Sequence, residues 1–153
     1  MSFDLNYREK LWNVSGGATR AADVMHRMVR GVDVLVGNEE DLQKGLGIAG
    51  PEVGGSSRLD PASVLAMIDC VVERYPQIKV VATTLRDVRS TNRHNWGAVV
   101  WLNGESYTSP ACELDILDRV GGGDGFASGF FMVSSRAPPR KKRFGWAGPM
   151  APC

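Results

Sequence analysis

Two short apolar runs do most to limit the fold. VDVLV at Val32–Val36 and KVVATT at Lys79–Thr84 are rich in β-branched residues and too short to be buried helices. Each follows a stretch with helical spacing. Ala21, Val24, Met25, Met28 and Val29 recur within a helix expected over Ala18–Arg30. Asp60-Pro61 opens a second helix, expected to run to Arg74, with Asp60 as N-cap and Pro61 at N1. An alternating segment, SFDLN, stands ahead of both as a further strand. Apolar strands separated by helices predict an α/β fold: a central, mostly parallel sheet with flanking helices.

The connections fit that plan. Val14–Gly17 reads as a turn, GNEEDL as the start of a short helix, and Ala49–Arg58 as a Gly/Ser-rich surface loop. Trp96–Leu102 and Ser106–Thr108 form a hairpin around Asn103-Gly104, whose aromatic residues Trp96, Trp101 and Tyr107 are expected to pack it. A helix is expected from Asp124. With 153 residues there is room for one domain. A net charge of +1 gives no global field for nucleic acid or membrane. Three scattered cysteines, with no C-x-x-C pair, point away from structural zinc or a disulfide scaffold and toward a reducing compartment. Cys70 is expected in the core, and neither His26 nor His94 has a role assigned.

Four motifs carry chemistry. Gly121-Gly122-Gly123-Asp124 precedes a helix-capable segment; glycines let several N–H groups approach a ligand, and a helix N-terminus favours an anion. The same residues also suit a plain turn with a capping Asp. Asn38-Glu39-Glu40-Asp41 follows a buried strand, where carboxylates can hold Mg²⁺ or simply favour a helix start. Asp4, Asn6 and Arg8 alternate along SFDLNYR and share one face, fit for an anionic or hydroxylated ligand or for solvent. Thr83-Thr84-Leu85-Arg86 brings hydroxyls and a guanidinium to the end of another strand.

In this order the four motifs resemble the ribokinase-like (phosphofructokinase-B type) sugar kinases, close to the 2-keto-3-deoxygluconate branch, over Ser2–Phe131. The resemblance implies ATP-dependent phosphoryl transfer to a sugar-acid hydroxyl with Mg²⁺, in the cytoplasm. It implies Asp124 as catalytic base and Gly121, Gly122 and Gly123 as amide donors to the transferring group. Arg8 would grip the substrate carboxylate with Asn6 beside it. Thr84, Arg86 and Asp118 would lie near the nucleotide phosphates. Asn38 and Asp41 would organise Mg²⁺ as the family's N-x-x-E pattern, the shorter Asp acting through water. Arg119-Val120 and Gly125 depart from the family's hydroxyl residues. A fructose, ribose or nucleoside kinase of the same superfamily, or a non-catalytic nucleotide-binding or packing fragment, are the other readings.

Members of that family are longer. The resemblance implies a C-terminal half, residues 1–131, lacking the early strands, the sugar-binding glycine pair and the lid. An open sheet edge would then invite self-association. Residues 132–153, MVSSRAPPRKKRFGWAGPMAPC, lose the patterning of the rest. Read one base out of register, Met132-Val133, Trp146-Ala147 and Met150-Ala151 each force glycine, and favourable codons give an apolar helix, a Gly/Pro turn and a second helix. The expectation is a frameshifted or disordered tail from near Phe131, with Arg140–Arg143 an accident of translation. The nucleotide sequence decides it.

Overall fold

A computed structural model describes residues 1–50, 60–118 and 120–136, with side chains up to Ser134. The elements run β1 (Ser2–Asp4), α1 (Glu9–Asn13), α2 (Gly17–Val29), β2 (Val34–Asn38), a π-helical turn (Asp41–Gly45) and α3 (Pro61–Arg74). β3 (Val80–Val88), β4 (Arg93–Leu102), β5 (Glu105–Thr108), β6 (Cys112–Asp115) and α4 (Gly122–Arg136) follow.

The described strands form one sheet in the order β1-β2-β3-β4, with β5 and β6 both paired to β4. β1-β2 and β2-β3 are parallel, joined through helices. The pairs β3-β4, β4-β5 and β4-β6 are antiparallel. This corrects the mostly parallel expectation: among the described residues the sheet is mixed. The cause is the short link after Val88, where the amides of Arg89 and Ser90 both donate to the Arg93 carbonyl. That connection is too short for a helical crossover, so β4 must return antiparallel.

Both faces of the central strands are apolar, and the two-residue period sorts them. Leu35, Val81, Leu85 and Val99 face a core built with Ala21, Met25 and Val29 of α2 and Val64, Met67, Ile68 and Val71 of α3. Val36, Ala82, Ala98 and Val100 face the other way, against Phe126 and Phe130 of α4. The α4 face is covered more sparsely, and it is the face that carries the polar residues at the strand ends. No helix among the described residues is long and apolar enough to cross a membrane.

Several local expectations need correction. β1 ends at Asp4 because Asn6 takes a positive φ of 42°, and α1 then forms where no helix was expected. Asp60 has the extended backbone of an N-cap, but its side chain makes no capping bond. Cys70 is exposed, not in the core. β3 extends to Val88, and β6 had no sequence signal. α4 begins at Gly122, not Asp124, and is described to Arg136. Most of the expected loop at Ala49–Arg58 and residues 137–153 of the expected tail lie outside the described residues. The Asn103-Gly104 turn is as expected, with φ of 47° and 93° suiting a two-residue hairpin.

Candidate active site

At the carboxyl ends of β1 and β2, beside β3, lies a cavity of about 570 Å³. Ten of the eleven residues singled out from the sequence line it: Asn6, Arg8, Asn38, Asp41, Thr84, Arg86, Gly121, Gly122, Gly123 and Asp124. The eleventh, Asp118, lies outside the lining; its Oδ1 accepts the Val120 amide at 3.0 Å and shapes the approach to the glycines.

Strand parity explains the convergence. Asp4 pairs with Val36, Asn38 with Thr84, and Arg86 with Trp96. All six lie on the α4 face. Beyond Asp4 the strand stops, yet Leu5 and Tyr7 are buried, so Asn6 and Arg8 are still turned outward. The Leu5 amide donates to the Val36 carbonyl at 2.9 Å, holding the segment beside β2 for one more residue.

Asn38 and Asp41 form a reciprocal cap. Asn38 Oδ1 accepts the Asp41 amide at 2.8 Å, and Asp41 Oδ2 accepts the Asn38 amide at 3.0 Å. Asp41 Oδ1 accepts the Tyr7 amide at 2.8 Å, tying the segment after β1 to the end of β2. Burial lifts the Asp41 carboxyl above its ordinary range, and these amides pull it partly back. Burial also raises Glu39, against the pull of Arg86. Asp4 is raised by burial first, then by Asp41 and Asp124.

Gly121 has a φ of 79°, a left-handed turn that delivers the chain into α4. The Gly125 amide closes the first helical turn on the Gly121 carbonyl at 2.8 Å. The first-turn amides have no acceptor within the helix, and Gly121, Gly122 and Gly123 line the cavity, an arrangement able to receive an anion. Five acidic residues, Asp4, Glu39, Glu40, Asp41 and Asp124, line the cavity with two arginines, Arg8 and Arg86, and the Glu40 carboxylate is paired with Lys44 Nζ at 2.8 Å. Such a lining would favour a cation beside any polyanion bound here. No three acidic, histidine or cysteine side chains among the described residues form a metal cage. Mg²⁺ does not require one: it is commonly held by one or two carboxylates, waters and phosphate oxygens.

The family resemblance implied no individual role for Asp4, Glu39 or Trp96, which also line the cavity. Asp4 and Glu39 stood inside motifs already marked. Trp96 had no signal, and the hairpin-packing expectation for it is corrected: only the register of β3 against β4 sets it opposite Arg86. Trp101 does pack against the core, on the opposite face. Tyr107 instead donates to Glu105 Oε2 at 2.5 Å.

No family model matches the chain. In sequence it is 31% identical, over 129 residues, to a 2-dehydro-3-deoxygalactonokinase of Haloferax volcanii, covering 84% of this chain and 33% of that protein. Its structure is similar to that of 2-dehydro-3-deoxygluconokinase from Thermotoga maritima, with a TM-score of 0.76 and 35% identity over 88% of this chain and 38% of that one. A PfkB family carbohydrate kinase from Listeria grayi gives a TM-score of 0.69 and 26% identity, over 90% of this chain and 39% of that one. The chain thus spans about a third of the length of its curated relative. Four motifs converge at the strand ends of a partial fold, and over that part the chain is similar in sequence and structure to the ribokinase-like (PfkB-type) carbohydrate kinases.

Proposed function

We propose that this chain carries the phosphoryl-transfer part of a sugar-acid kinase of the 2-keto-3-deoxygluconate type, using ATP and Mg²⁺ in the cytoplasm. The observation that carries this reading is the meeting of Arg8, the glycine loop, Asp124, Asn38 and Arg86 on one cavity. Asp124, exposed at the mouth of the loop, takes the proton of the attacking hydroxyl. The amides of Gly121, Gly122 and Gly123 hold charge on the group in transfer, where positioning and electrostatics supply most of the catalysis. Arg8 pairs with the substrate carboxylate, and Asn6 with a neighbouring hydroxyl. Thr84 and Arg86 meet the nucleotide phosphates, while Asp118 acts from outside the cavity by shaping the loop. Mg²⁺, where bound, would supply positive charge that offsets that of the phosphates. Asn38 and Asp41 orient its waters, since both side chains already hold backbone amides.

The chain is only part of the length of its relatives, so we expect Mg-ATP binding with little or no turnover in isolation. Titration calorimetry with Mg-ATP, and a phosphoryl-transfer assay with 2-keto-3-deoxygluconate, test both halves of this statement. Failure to bind Mg-ATP would remove the first, and turnover at a normal kinase rate the second. Arg8→Ala should weaken 2-keto-3-deoxygluconate selectively; equal effects on fructose would favour a kinase for a neutral sugar.

A further inference from the structure

We infer that Trp96 is the positioning residue of the glycine loop: its indole sets the height of Gly122, and through it the loop amides, above the sheet. This rests on the phosphoryl-transfer reading above. A Cβ placed on Gly122 would lie 2.6 Å from Trp96 Cη2, 3.4 Å from Cζ3 and 3.7 Å from Cζ2. The other glycines of the loop and first turn, Gly121, Gly123 and Gly125, would meet nothing within 4 Å. Backbone conformation calls for glycine at Gly121, whose φ is 79°, whereas close approach to one ring calls for it at Gly122.

The ring has a firm seat. Trp96 pairs with Arg86 of β3 on one side and with Cys112 of β6 on the other. It lines the same cavity as Gly122 and Asp124, and Phe126 one turn into α4 lines it too. Its indole N–H is buried without a hydrogen-bond partner. That orphaned donor opposes stability, so the ring is held by its packing. Amides that stabilise a transferring group act only when placed to within a fraction of an ångström. A rigid aromatic under Gly122 supplies such a stop.

The test is a double-mutant cycle in the full chain, with Gly122→Ala and Trp96→Leu singly and together. Two quantities are read: affinity for Mg-ATP by calorimetry, and the unfolding midpoint with the NMR amide shifts of Gly121–Asp124. Gly122→Ala should weaken Mg-ATP at least tenfold, and Trp96→Leu severalfold. In the presence of Trp96→Leu, adding Gly122→Ala should cost little more, in affinity and in midpoint alike. Trp101→Leu, on the same strand but the opposite face, should lower the midpoint without moving the loop amides. If Trp96→Leu does not fold, Trp96→Phe carries the cycle. Independent, additive effects with unmoved amides would overturn the inference. If the unaltered chain binds no Mg-ATP, the phosphoryl-transfer reading fails. The midpoint and amide shifts then still decide whether Trp96 sets the loop: coupling supports it, and additivity rejects it.

Discussion

Asp41 shows how one side chain serves fold and site together. Its carboxylate accepts two backbone amides from different segments, and the residue is only 5% exposed. Asp41→Ala should destabilise the chain by about 1–3 kcal/mol, read by urea unfolding, because it orphans those amides. Asn6→Ala, though at an exposed position, should cost up to about 1 kcal/mol, because a φ of 42° suits Asn better than Ala. Asp4 gives a pH prediction. Its folded pKa is raised above the ordinary 3.8, chiefly by burial. The protonated form is therefore favoured in the folded state. Its contribution to stability is full below the unfolded pKa and is lost as pH rises through the folded one. Asp4→Asn should flatten the stability profile on the rising side of pH 3.8 and leave the chain no less stable at neutral pH. Unfolding across a pH series checks it; an unchanged slope would contradict it. The sequence marked Asp41 as a carboxylate in a ligand motif. Its capping role was not visible, because the Tyr7 amide is 34 positions away and only the pairing of β1 with β2 brings it there.

At the scale of elements, α4 and its glycine loop are the most informative. Gly121→Ala should cost about 1–2 kcal/mol, since its φ of 79° places a Cβ against the following carbonyl. Gly125→Ala, in the helix with open space around it, should instead stabilise by about 0.5–1 kcal/mol. Opposite signs in thermal unfolding would separate the two glycine roles. Phe130 is 2% exposed and stacks with Phe126 against the sheet. Phe130→Ala should cost about 3–5 kcal/mol; a much smaller loss would mean that α4 is loosely docked. The boundaries of α3 were legible because Asp60-Pro61 is a local signal, and its helix is Pro61–Arg74 as read. β6 was not legible. CELD has too short a pattern to stand alone and forms only because Arg93–Trp96 offers it a partner.

At the scale of the whole molecule, the sheet has an open side among the described residues. β1 pairs with β2 alone among the described strands, so its other edge has no described neighbour. Leu11, Val14, Leu117 and Val120 are exposed apolar residues as well. Concentration-dependent self-association should appear in sedimentation, and Ser2→Pro at the edge strand should reduce it. A monomer at all concentrations would remove that expectation. The sequence by itself determined the α/β class, the two βα crossovers and the residue types of the site, since spacing, caps and glycines are local properties of a chain. Tertiary structure decided three things: the sheet is mixed, Asp118 stands outside the cavity, and Trp96 lies under Gly122. Each depends on which strands pair and in what register, and that is fixed by contacts between residues far apart in the chain.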